Sequence, residues 1–232
     1  MVIPLHDDNP TTTKPKVTVG IMIACTVAYL LQHLLLSRES ANELIYALGV
    51  IPALLTNPDF ADVAPIPPAL TVLTSMFVHG GFWHLAGNML YLWIFGNNIE
   101  DAMGHVRFII FYLLCGVAAV AAQVLPNPAS EIPMVGASGA ISGVLGAYML
   151  LYPRAKVLLG LPLGFLIVEL GRYPAIWVLI AWFVMQLIMG TFAAASNAPG
   201  GVAFGAHIGG FVAGCLLVTL FKKRAVPLWR RW

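Results

Sequence analysis

The chain has 232 residues, 59% of them hydrophobic and 9% charged, with a formal net charge of +2. Soluble domains carry about 25% charged residues, so a chain this apolar cannot cover its own surface in water and belongs in a lipid bilayer. No basic cluster interleaved with aromatics stands in the sequence, and nucleic acid is not expected as a partner.

Residues 1–16, MVIPLHDDNPTTTKPK, are polar and proline-broken. They lack the apolar core of a signal peptide and are expected to form a cytoplasmic tail. Windows free of Asp, Glu, Lys and Arg then mark candidate spans, each needing about 20 residues. Residues 17–37 hold one. Residues 63–99 hold one more, because PIPP (65–68) breaks the front of that window. Residues 108–130 and 132–153 hold one each, and 173–221 hold two, joined by the turn SNAPGG (196–201). The window 157–168 is short and contains Pro162, which suits an interfacial or re-entrant piece.

The expected fold is an all-α membrane protein, a six-helix bundle over residues 17–222 with a basic cytoplasmic tail at 223–232. Placing both termini inside puts 11 of the 12 basic residues on the cytoplasmic side, with Arg38 alone outside. A seventh span at 157–168 would reverse the last two helices and move the basic C-terminus outward. Segment 38–80 becomes a long outer loop, too long for a plain connection and expected to be partly ordered. Cys25, Cys115 and Cys215 lie inside apolar stretches and read as small hydrophobes, so no disulfide or metal site is expected.

Spans two, four and six all begin on the outer side, and each carries its unusual polar groups in about its first two turns. These are His84 and Asn88, then Ser138, then His207. Singly, each has a structural reading: an interhelical hydrogen bond for histidine, packing or back-bonding for serine. Polar groups are costly inside a membrane and point to function, and three helices deliver them at one depth. Ser138 and His207 suffice for nucleophilic acyl transfer if they touch. His84 and Asn88 are four residues apart on one helix face and can donate to an oxyanion, together with the Ser138 backbone N–H. All ten acidic residues fall outside the outer halves of the spans, Glu131 being the nearest, so a dyad is expected and not a triad. Gly139 and Gly143, like Gly210 and Gly214, have GxxxG spacing, and Ser142 with Gly146 repeats the small-residue step. These let spans four and six approach closely.

HLAGN (84–88), EDAMGHVRF (100–108), GASG (136–139) and AHIGGFVAG (206–214) together resemble the rhomboid intramembrane serine proteases, over most of residues 70–220. The resemblance implies Ser138 as nucleophile, His207 as general base, and His84 and Asn88 in the oxyanion hole. It implies cleavage of transmembrane protein substrates without metal or cofactor. With no soluble domain appended, a prokaryotic-type member in the plasma membrane is expected, its site facing outward. The chain departs from the family pattern at Ser142, where an aromatic often packs on the catalytic histidine, and in 38–80, which contains no Trp.

Trp177, Trp182, Phe183 and Gln186 in span five are candidates for a substrate gate, with lipid-facing aromatics and a packing amide as the other reading. His79 and Gln123 are candidates for the rim of an outer aqueous cavity. Glu100 and Arg107 are expected to pair at the inner loop, with His33 and His105 peripheral. Two other functions compete: an inactive rhomboid-like protein that binds membrane proteins, and a small transporter. The transporter would call for repeats or charged groups near the midplane, and the sequence displays neither.

Overall fold

The computed structural model describes residues 2–57, 59, 64–164, 166–196 and 202–230. Apart from Ser196, the turn expected at 196–201 lies outside them. Four helices among the described residues are long and apolar enough to cross a membrane: α1 (Lys16–Leu34), α7 (His105–Val124), α9 (Ala175–Ser196, apolar over Ala175–Ala193) and α10 (Phe204–Phe221). Two further stretches take other forms. Between α1 and α7, α5 (Phe82–Tyr91), a π-helical segment (Leu92–Gly96) and α6 (Asn97–Met103) follow one another without a break. The π turn carries Gly96 against Thr18 of α1, where a Cβ would stand 3.2 Å from the threonine methyl.

The second is α8 (Ser138–Leu151), only 14 residues long. At 1.5 Å per residue it measures about 21 Å, short of the ~30 Å hydrocarbon layer. It occupies the centre of the bundle, with Gly139 through Tyr148 all buried. The seam between α8 and α10 is built of backbone against backbone. A Cβ on Gly210 would strike the Gly139 carbonyl, one on Gly214 the Gly143 carbonyl, and one on Gly146 the Phe211 carbonyl. Any larger residue at these positions would force the helices apart.

Within segment 38–80 the described residues form α2 (Arg38–Leu48), α3 (Pro52–Thr56) and α4 (Pro68–Thr74). Ser37 caps α2 by accepting from Ser40 N, and Thr74 Oγ1 donates to Leu48 O at 2.7 Å. Val50 forms an antiparallel bridge with Met134, which ties this segment to the chain leading into α8.

The all-α expectation is corrected by a three-stranded antiparallel sheet, β1 (Ile3–Asp7), β2 (Lys156–Leu163) and β3 (Leu166–Pro174), in the order β1-β2-β3. The window read as an interfacial or re-entrant piece is thus one side of a β-hairpin turned at Gly164, whose φ is +66°. Pro162 is tolerated because β1 pairs only with residues 157–160; beyond them β2 has a single neighbour. The sheet is pinned to the bundle by Asp7, whose Oδ2 accepts from Tyr148 Oη at 2.5 Å and Asn98 Nδ2 at 3.0 Å. Burial pushes the Asp7 carboxyl up to about 6. Arg172 of β3 pairs with Asp8.

The expected Glu100–Arg107 pair is also corrected. Glu100 is fully buried and accepts from Val17 N at 2.8 Å, Thr18 N at 2.7 Å and Thr18 Oγ1 at 2.7 Å, so it caps α1 from a distant segment. Its Oε1 also lies 2.5 Å from His105 Nδ1, so His105 is not peripheral. Pro15 precedes α1 and offers no capping side chain of its own. The orphan N–H groups of that helix end are met by tertiary structure.

Candidate active site

Ser138 is the first residue of α8. The chain before it is held in extended form by the Val50–Met134 bridge and turned at Gly136, whose φ is +116°. Gly136 N donates to Ser75 O at 2.8 Å. A side chain at 136 is barred twice: the backbone is left-handed, and a Cβ would lie 2.6 Å from His84 Nε2. The helix that the sequence places over 132–153 therefore starts several residues late, which leaves Ser138 at its N-terminus. Free backbone N–H groups gather at such an end.

His207 lies in the first turn of α10 and meets Ser138 across the glycine seam, Nε2 to Oγ at 2.8 Å. Its other nitrogen, Nδ1, faces Gln186 Oε1 at 2.8 Å. Ser142 Oγ donates back to Ser138 O at 2.7 Å within α8, so the position where the family often has an aromatic carries a small, buried hydroxyl. The rings beside His207 come from elsewhere. Trp182 lies at 6.0 Å between centroids and Phe204 at 6.5 Å.

His84 and Asn88 stand one turn apart on α5 and converge on Gly136. The same virtual Cβ that approaches His84 Nε2 would be 3.5 Å from Asn88 Nδ2. Asn88 is buried, and its Nδ2 has no hydrogen-bond partner among the described residues. A buried amide donor with no partner among the described residues, beside Gly136, two residues before Ser138, suits a site where negative charge develops.

The residues expected at a gate divide. Trp177 is exposed, as the gate or lipid reading requires, but Gln186 is only 6% exposed and bonds to His207. Phe183 stacks on Phe211 with centroids 4.6 Å apart. His79 is fully buried, with its ring 5.2 Å from that of His84. Gln123 Oε1 accepts from Ala206 N at 3.1 Å and so helps satisfy the start of α10. Gly136 and Gln186 are residues at this site whose places the sequence did not reveal. The signal for Gly136 was its position immediately before the Ala137–Ser138 step. For Gln186 it was a lone amide in an otherwise apolar span.

A family model of the rhomboid domain matches residues 68–224. Among curated proteins, the chain is 32% identical over 158 residues to "Rhomboid protein 1, mitochondrial" of Saccharomyces cerevisiae, covering 66% of this chain and 42% of that protein. It is 32% identical over 146 residues to "RHOMBOID-like protein 5" of Arabidopsis thaliana, covering 63% and 42%. Over 78 residues it is 41% identical to "Rhomboid protease GluP" of Bacillus subtilis, covering 34% and 15%. The chain spans less than half the length of these relatives. Proteins named as mitochondrial stand among the matches, so the comparisons do not carry the plasma-membrane expectation. The apolar helices and the match over 68–224 agree on an integral membrane protein: the chain belongs to the rhomboid family.

Proposed function

We propose that this protein is an intramembrane serine endopeptidase that hydrolyses peptide bonds of transmembrane protein substrates through Ser138 and His207. The observation that carries the reading is the 2.8 Å contact between Ser138 Oγ and His207 Nε2, made across two apolar helices packed backbone to backbone. A serine placed only for packing needs no such partner. In the proposed reaction Ser138 Oγ attacks the scissile carbonyl while His207 Nε2 takes its proton. The oxyanion is met by His84, Asn88 and the Ser138 backbone N–H. The protonated His207 gives its proton to the leaving amine as the C–N bond breaks, and water then releases the acyl group along the reverse path. No metal or cofactor enters these steps.

The reading includes six spans, with 82–103 and 138–151 joining the four long helices, both termini inside and the site near the outer face. The distribution of basic residues supports this orientation. A substrate helix hides its carbonyls in its own hydrogen bonds and must unwind to be cut. Incubating purified protein with single-span substrates and mapping the cut sites tests the reading. Cuts are expected in the outer part of the span, beside a small residue. Replacing helix-breaking Gly or Pro there with Leu should slow them. Absence of cleavage across a panel rich in such substrates would contradict it.

A further inference from the structure

His207 can act as base in only one of its two neutral forms. Nε2 must present a lone pair to Ser138, so the ring hydrogen must sit on Nδ1. An imidazole with nothing at Nδ1 is free to exchange tautomers and to turn about its side-chain bonds. In this chain Nδ1 faces Gln186 Oε1 at 2.8 Å. An amide oxygen only accepts, so this contact requires the hydrogen on Nδ1 and leaves Nε2 unprotonated toward the serine. Trp182, one turn earlier on α9, lies along the same imidazole.

The setting of Gln186 is also specific. On α9, Leu179 and Gln186 are buried, and Trp182 and Phe183 pack on α10 through His207 and Phe211. Gly190 continues this line, with Phe204 beside it. Ile180, Val184, Met185, Leu187, Ile188 and Met189 are exposed. Only 17% of the apolar window of α9 is buried, less than for the other three long helices. An amide in a thin apolar seam is costly without a partner, and the partner here is the imidazole.

We propose that Gln186 is a positioning residue for the Ser138–His207 pair, an inference that rests on the protease reading above. It fixes the tautomer and rotation of His207 from the side on which a soluble serine protease has a carboxylate. A neutral acceptor suits an apolar interior, where a third ionised group would carry a large desolvation cost. As Ser138 gives up its proton, His207 becomes cationic and the bond from Nδ1–H to Oε1 becomes charge-assisted. Gln186 therefore acts mainly in the transition state and on turnover. Because it is carried by the least buried long helix, the base is fully assembled only while α9 rests on α10.

The test compares Gln186→Met, which keeps the volume and removes the acceptor, with Gln186→Glu, which keeps an acceptor. The readouts are kcat and KM on a single-span substrate in detergent, the melting temperature, and 15N spectra of histidine-labelled protein, with His207 assigned by difference from His207→Ala. Gln186→Met should lower kcat by about 10- to 100-fold, the rate equivalent of one hydrogen bond to a developing charge. KM should stay near the wild-type value, and the His207 signal should change from one tautomer to a mixture. Gln186→Glu should restore the single tautomer of His207 and part of the turnover, with the desolvation cost of the carboxylate appearing as a lower melting temperature. If the glutamate variant fails to fold, the methionine variant and its 15N spectrum still decide. Wild-type kcat with an unchanged His207 spectrum in Gln186→Met would overturn the inference, as would an effect confined to KM or to melting. A wild-type protein that cleaves nothing would instead defeat the protease reading, and the tautomer comparison would still test the contact.

Discussion

Substituting Gly210 by alanine probes the link between helix packing and chemistry most sharply. Its Cβ would overlap the Gly139 carbonyl oxygen and lie 2.9 Å from the carbonyl carbon. Close carbon–oxygen contacts sit at about 3.3 Å, so α10 has to retreat from α8 by about 1 Å. Gly139 follows Ser138 in sequence, and Gly210 lies three residues beyond His207, so the retreat acts on the reacting pair. The 2.8 Å separation between Ser138 Oγ and His207 Nε2 would then pass about 3.5 Å, where hydrogen bonding ends. A misplacement of about 1 Å costs on the order of 10²-fold in rate, and overpacking costs about 1–3 kcal/mol in stability. The assay is turnover of a transmembrane substrate in liposomes, beside a thermal melt. Gly20→Ala on α1, where a Cβ meets nothing within 4 Å, is the control and should leave turnover unchanged. Gly210→Ala with wild-type turnover and melting temperature would refute the argument that the glycine seam sets the catalytic distance.

Asn88→Ala should lower kcat by about 10²–10³-fold, as loss of an oxyanion donor does; a raised KM with intact kcat would make Asn88 a substrate contact. Glu100→Ala removes the acceptor for two N–H groups of α1 and the partner of His105, and should destabilise the protein by about 1–3 kcal/mol; an unchanged melting temperature would contradict this. Asp7 has a folded value of about 6 against 3.8 ordinarily, so the folded state holds its proton more tightly. The stabilisation this brings to β1 is present below about pH 4 and lost as pH rises through about 6, on the order of 2–3 kcal/mol in all. Hydrogen exchange of residues 3–7, corrected for intrinsic rates, should accordingly show protection falling over that range, and Asp7→Asn should flatten the change; protection that rises with pH would reverse the sign of the argument.

The polar residues of the site were legible because a membrane makes them conspicuous. Against an apolar background, His84, Asn88, Ser138 and His207 stand near the starts of three apolar stretches, and the structure brings them to the first two turns of α5, α8 and α10. The glycines were legible for a related reason, since their spacing of four places them on one helix face. The sheet was not legible. Residues 156–174 are apolar almost throughout, so they show no period-two alternation, and β1 lies some 150 residues away in sequence. Only the glycine at 164, between two apolar runs, hinted at a hairpin. The late start of α8 was hidden because composition does not reveal a left-handed residue, and Gly136 stood in the sequence only as the first residue of GASG. Gln186 was visible as an amide in span five but was grouped with the gate, because the register between α9 and α10 is a tertiary fact. Glu100 was read with its sequence neighbour Arg107, whereas its carboxylate reaches a helix end more than 80 residues away.

The central claim is that Ser138 is a nucleophile made reactive by His207. Treating the purified protein with a fluorophosphonate and locating the adduct by mass spectrometry tests it most directly. The account expects a single adduct on Ser138 in the wild type and none in Ser138→Ala. It also expects near-complete loss in His207→Ala, whose melting temperature should remain close to wild type. Unmodified Ser138 in folded wild-type protein, or equal labelling of the His207→Ala variant, would contradict it.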